Sequence, residues 1–160
     1  MATLHLVSGP IGAGKTTKAS EIVQHTNALL MSPDQWMNVS GIPLRNSEAR
    51  AAIEEAQWKI SALLLSQGYD VVIEWGTWGR SERLDILSKA KALGHTVNGY
   101  FLTPEISVLM SRVESREANW EESDRVTSHE IIESAQFFEN PQSNELSQYA
   151  EIWFSDSDSA

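Results

Sequence analysis

Eight residues near the start of the chain, Gly9-Pro10-Ile11-Gly12-Ala13-Gly14-Lys15-Thr16, restrict its fold more than any other stretch. They match G-x-x-x-x-G-K-[ST], in which glycines let successive backbone N–H groups turn inward around an anion. The pattern needs a strand before it and a helix after it, so that the positive end of the helix dipole meets the phosphates. Both are present: Leu4-His5-Leu6-Val7 is a short apolar run, and Thr17 to Gln24, with Ala19, Ile22 and Val23, has helical spacing. Gly9, Gly12, Ala13, Gly14, Lys15, Thr16 and Thr17 are therefore the expected nucleotide-binding residues. Lys15 reaches the β- and γ-phosphates, and Thr16 offers its hydroxyl to Mg²⁺.

Behind this unit the chain alternates strand and helix. Ala28-Leu29-Leu30-Met31 reads as a second strand, stopped by Pro33, with Asp34 just beyond its carboxyl end. Ligands bind along that edge of open α/β sheets, and a carboxylate there can accept a proton from a hydroxyl or hold Mg²⁺ through water. Asn38 to Leu44 reads as a loop. Asn46 or Ser47 caps a helix whose inward face is expected to carry Ala49, Ile53, Ala56, Ile60, Leu63 and Leu64, ending at Gly68. Tyr69 to Glu74 is a third strand run, and Glu74 at its end stands where a second acid orients the metal.

Trp75-Gly76-Thr77-Trp78-Gly79-Arg80 follows at the same edge. With Trp36, Trp75, Trp78 and Arg80 are expected to form a substrate pocket that stacks on a ring and grips an anion. In the competing reading the indoles plug the core and Arg80 pairs with an acid. Ser81 caps the next helix, with Leu84, Leu87 and Ala90 inward and Gly94 at its end. Thr96 to Leu102 is a fourth strand, and Pro104 takes the first position of a helix whose apolar face holds Ile106, Leu109, Met110 and Val113. Arg112 and Arg116 are four apart and share another face, placed to close over a transferring phosphoryl group. Thr127-Ser128-His129-Glu130 is a capping box, Phe137 to Leu146 is irregular, and Tyr149 to Phe154 is a final strand.

These elements predict an α/β chain with the three-layer phosphate-loop NTPase fold: about five parallel strands, helices on both faces and a short lid. Residues 1–154 form one domain and 155–160 an acidic tail. No stretch approaches the roughly 18 apolar residues of a membrane span, and the N-terminus lacks a basic start and long apolar segment, so a cytoplasmic protein with no membrane partner is expected. There is no cysteine, hence no disulfide. The net charge of −10 repels phosphate backbones and makes nucleic acid an unlikely partner. The absence of an N/T-K-x-D run argues against a signalling GTPase. What remains is a small nucleotide-dependent phosphotransferase, with ATP and Mg²⁺ as cofactors and a small hydroxyl compound as acceptor. The alternatives are a polynucleotide 5′-hydroxyl kinase and a nucleotide-dependent switch without acceptor.

The loop with Thr17, Pro33-Asp34, Val71 to Arg83 and Arg112 to Arg116 also resembles a bacterial group of small ATP-binding proteins. That group lies in the kinase-like phosphate-loop family with phage polynucleotide 5′-kinase, chloramphenicol phosphotransferase and zeta toxins. The resemblance implies that Lys15 and Thr16 bind ATP and Mg²⁺, that Asp34 is the general base and that Arg112–Arg116 is the lid. Two departures stand out. Polynucleotide kinase has an arginine three residues after its catalytic aspartate, where this chain has Met37, and the group more often has Asp at the position of Glu74.

Overall fold

Strands rich in branched and aromatic residues, each followed by a helix, pair in parallel because the crossovers are long enough to return to the same edge. The computed structural model describes residues 1–155. It contains β1 (Thr3–Ser8), α1 (Lys15–Thr26), β2 (Leu29–Met31), α2 (Pro33–Val39), α3 (Ser47–Ser66), β3 (Val71–Gly76), α4 (Arg80–Ala92), β4 (Thr96–Phe101), α5 (Ile106–Arg116), α6 (Ser128–Phe137), α7 (Ser143–Leu146) and β5 (Glu151–Phe154). One 3₁₀ turn, Glu122–Asp124, lies between α5 and α6. The sheet has five strands, all parallel as the alternation predicts, in the order β2-β3-β1-β4-β5. Of the expected tail, 156–160 lie outside the described residues, while Ser155 Oγ accepts a hydrogen bond from Thr103 N at 3.0 Å.

The pleat divides the core in two. Leu4 and Leu6 of β1, with Val71 and Ile73 of β3, point toward Leu65, Ile86, Leu87 and Ala90 of α3 and α4. Val7 and Val72 point the other way, toward Ala19 and Ile22 of α1, Leu109 and Val113 of α5, and Ile131 of α6. Both faces are therefore covered, which is why the central strands are apolar throughout.

Four local expectations are corrected. Pro33 ends β2 by starting a helix: Ser32 is the N-cap, its Oγ accepting from Gln35 N, and Pro33 sits in the first turn, where its missing N–H is harmless. Helix α2 thus occupies part of what read as strand end and loop, and carries Asp34 in its first turn. The inward face of α3 is Gln57, Ser61 and Leu65, whereas Ile60 and Leu63 are exposed. A polar residue faces inward there because Gln57 Oε1 accepts from Trp75 Nε1 at 2.9 Å. Gly79, not Ser81, caps α4, and Glu105 caps α5 with Pro104 outside it. The segment expected to be irregular includes the short α7. The caps at Asn46 and Thr127 are formed by their side chains, as read.

Candidate active site

The loop after β1 turns through Gly12 at φ 81° and Gly14 at φ 96°, a region other residues enter at a cost. Space is equally restrictive: a Cβ on Gly12 would lie 2.8 Å from the Leu109 carbonyl oxygen. The loop is held from several sides. Trp78 Nε1 donates to Gly9 O at 3.1 Å, Ile11 N donates to Ser134 Oγ at 3.1 Å, and Arg112 Nη1 donates to Ala13 O at 2.9 Å. Lys15 opens α1 and curls its ammonium back onto the carbonyls of Gly9 and Pro10, at 2.9 and 2.8 Å. Burial pushes the Lys15 ammonium down to about 8, with Glu74 and Asp34 opposing that shift and Arg116 and Arg50 adding to it.

The carboxyl ends of the parallel strands deliver the remaining groups to one cleft of about 1610 Å³. Its walls include the loop from Ile11 to Lys18, Asp34, Glu74, Arg112 and Arg116. Glu74 is 8% exposed, and burial raises its carboxyl above the usual range, against the pull of Lys15. Asp34 is half exposed, and Arg50 Nη2 donates to its Oδ1. That pairing engages one carboxylate oxygen, and Asp34 lines the cleft. Thr16 and Thr17 are exposed at the start of α1 and line the same cleft.

Magnesium, implied by the loop, fits this donor set: Thr16 and Glu74 offer two hard oxygens beside the phosphate loop. Among the described residues no three His, Cys, Asp or Glu side chains cluster as a complete cage. Mg²⁺ does not need one, since it keeps waters and shares phosphate oxygens.

The expected aromatic pocket is not among the cleft walls. Trp36, Trp75 and Trp78 pack, half-buried, against the core under α3 and α4, with the indole N–H groups of Trp75 and Trp78 used on Gln57 and Gly9. Arg80 starts α4 with its Nε buried and without a hydrogen-bond partner. The core-plug reading of the indoles is the one the packing favours. Trp120 and Trp153 line the cleft instead. Trp153 lies under Lys18, whose Nζ is 3.7 Å from its ring centroid, a cation–π contact.

The segment between α5 and α6 is knitted by buried Glu117. Its Oε1 accepts from Val126 N at 2.6 Å, its Oε2 from Arg116 Nη2 at 2.7 Å. Arg125 donates back to the carbonyls of Ala118 and Trp120. From the opposite wall Arg45, on the α2–α3 connection, reaches across to Glu130 Oε1 at 2.7 Å and to Arg125 O at 2.8 Å. Sequence reasoning missed Arg45, Arg50 and Trp120, which stand in no motif; only the fold brings them to the cleft.

The model of the AAA domain family, AAA_33, matches residues 4–141. No curated protein sequence matches the chain at a significant level. Among solved structures the chain is similar to one from Chloroflexus aurantiacus J-10-fl described as a "putative kinase", with TM-score 0.76 and 16% identity over 96% of this chain and 86% of that one. It is similar to a gluconokinase from Sinorhizobium meliloti 1021, with TM-score 0.61 and 17% identity over 96% and 81%. A chain of the Pnkp1/Rnl/Hen1 RNA repair complex gives TM-score 0.75 and 14% identity, over 86% of this chain but 44% of that one. At such identities these likenesses establish the fold. No helix among the described residues is long and apolar enough to cross a membrane. With the phosphate loop, the five-stranded parallel sheet and the family match together, the chain belongs to the AAA domain family and is a small phosphate-loop protein with a kinase-like fold.

Proposed function

We propose that this protein is an ATP-dependent phosphotransferase that moves the γ-phosphate of Mg-ATP to a hydroxyl of a small molecule. The observation that carries this reading is one cleft holding the phosphate loop, Lys15, two carboxylates and two arginines. In that role the backbone N–H groups of the loop and Lys15 hold the phosphates, and Arg112 and Arg116 neutralise charge that develops on the transferring group. The acceptor oxygen forms a bond to the γ-phosphorus as the bond to ADP breaks, and Asp34 Oδ2 takes the hydroxyl proton. Thr16 and Glu74 would hold Mg²⁺, which supplies charge neutralisation on the phosphates. The kinase and gluconokinase among the fold relatives support this reading. An RNA repair chain shares the fold as well, but the net charge of −10 and a buried Met37 in place of an arginine weigh against a nucleic-acid acceptor. The test is transfer of radiolabelled γ-phosphate to a panel of small hydroxyl compounds and 5′-hydroxyl oligonucleotides. Lys15→Ala is expected to reduce labelling on the order of 10²–10³-fold; equal labelling by that variant would overturn the reading.

The depressed Lys15 gives a second expected result. At pH 8.5 the free protein has largely lost this proton, and phosphate charge pulls it back on. ATP binding should therefore take up protons near pH 8 to 9 and almost none at pH 6.5, read by calorimetry in buffers of different ionisation enthalpy. Stability follows the same linkage. Because the folded value lies below the ordinary 10.5, the unfolded chain binds the extra proton between about 8 and 10.5. The Lys15 contribution to folding therefore improves as pH rises through that window.

A further inference from the structure

One part of the cleft wall is built from α2, the α2–α3 connection and the segment after α5. Asp34, Gln35 and Asn38 lie on α2 and all line the cleft, Asn38 one turn after Asp34. Three guanidiniums stand here, and each is committed to an acid: Arg50 to Asp34, Arg45 to Glu130 and to the Arg125 carbonyl, and Arg116 to Glu117. An anionic acceptor would have to break one of these pairs and leave a carboxylate facing it. Asp124 adds a further acid to the wall. A cationic acceptor would likewise have to displace a guanidinium from its acid and leave it facing the ligand. What the wall does present is two side-chain amides, each both donor and acceptor, and one indole, Trp120, 37% exposed. Amides that donate and accept suit hydroxyls, which do the same, and the Trp120 indole, with the Arg116 guanidinium 5.8 Å from its ring centroid, keeps exposed apolar surface for a ring to lie on.

We infer that the acceptor is an uncharged polyhydroxylated ring compound, of the sugar or cyclitol class, read by Gln35 and Asn38 and stacked on Trp120. This rests on the phosphotransferase reading above and narrows it. Trp120 belongs to the segment knitted by Glu117 and Arg125, so an acceptor seated on it also contacts the element that carries Arg116.

The test uses the full chain with Mg-ATP and matched acceptors that share a ring but differ in charge: neutral sugars and cyclitols, the corresponding sugar acids, and the corresponding amino sugars. The neutral member of each set should show kcat/KM at least about tenfold above both charged members. Trp120→Ala should raise KM for the neutral acceptor about tenfold with KM for ATP nearly unchanged, and Trp120→Phe should recover most of that loss. Glu130→Gln, which releases Arg45 from its acid, should raise kcat/KM for the sugar acid about tenfold over the parent protein. Preferred labelling of an acid, an amino sugar or an oligonucleotide overturns this inference while leaving the kinase intact. An unaltered acceptor KM in Trp120→Ala also overturns it. Labelling of nothing in the panel removes the kinase reading and this inference with it.

Discussion

Replacing Arg83 by alanine is expected to destabilise the fold by about 3–5 kcal/mol, which for a chain of this size means a melting temperature lower by about 6–20 °C. Arg83 is fully buried, and all of its donors are used. Nε and Nη2 grip the two oxygens of Glu145 at 2.8 and 3.0 Å, and the remaining N–H groups reach the carbonyls of Thr77, Trp78 and Glu139. Glu145 is as buried as its partner and also accepts from Tyr149 Oη at 2.7 Å. Burial and that carboxylate push the Tyr149 phenol well above its ordinary value. Alanine would leave a carboxylate in the core without its cation and the carbonyls of Thr77 and Glu139 without the Arg83 donors, while Trp78 O keeps Glu139 N at 2.8 Å. Arg83→Lys should recover little, since an ammonium has three donors and no fork. Replacing both Arg83 and Glu145 by leucine should cost less than the two single changes summed, because no lone charge is left behind. Thermal melts of the parent, Arg83→Ala, Arg83→Lys, the two single leucine variants and the double variant decide it; a fall below about 3 °C for Arg83→Ala would refute this account.

The damage would extend to the phosphate loop. Arg83 holds the carbonyls of Thr77 and Trp78, Trp78 donates to Gly9 O, and Gly9 N donates to Gly76 O at 3.1 Å. Thr77 itself sits at φ 44°, unusual for a branched residue, with its hydroxyl paired to Ser8. The sequence left Trp75 to Arg80 between pocket wall and core plug, and these contacts are those of a scaffold. Nothing in the residue types separates the two, because an indole N–H and a guanidinium serve a buried carbonyl as well as a ligand.

The phosphate loop was legible for the opposite reason. Its backbone demands glycine at positive φ in Gly12 and Gly14 and a helix start immediately after, so the geometry prints itself on the sequence. The parallel pairing followed from alternation and crossover length, which do not depend on which side chains meet, whereas the strand order β2-β3-β1-β4-β5 had no such signal. Helix α3 was legible as a helix but not in its facing: its stripe of Ile60 and Leu63 is exposed while Gln57 and Ser61 face inward. Periodicity counts apolar residues and cannot foresee that an indole from β3 requires an amide opposite it. The groups meeting across the cleft, Arg50 with Asp34 and Arg45 with Glu130, are separated by 16 and 85 residues and carry no local signal.

Asp34→Asn is expected to lower phosphoryl transfer by about 10²–10⁴-fold while nucleotide binding changes little. The substitution keeps the shape of the side chain and its place in the first turn of α2, so the fold has no reason to move. It removes the charge, and with it the capacity of Oδ2 to take a proton from a hydroxyl in the cleft. Arg50 sharpens the expectation. Its Nη2 takes Oδ1 and holds the carboxylate in one orientation, so Arg50→Ala should impair transfer through kcat with a smaller effect than Asp34→Asn. Glu74 is the rival for the same task; burial raises its carboxyl above the ordinary range against the pull of Lys15, and a bound cation would favour the charged form that a metal ligand needs. Glu74→Gln should therefore shift the Mg²⁺ concentration needed for half-maximal rate, whereas Asp34→Asn should lower the rate at every Mg²⁺ concentration. Transfer retained within about threefold in Asp34→Asn, against the range expected for a lost general base, would move the proton-accepting role to Glu74. The carboxylate paired with Arg50 would then be a structural hinge pin between α2 and α3.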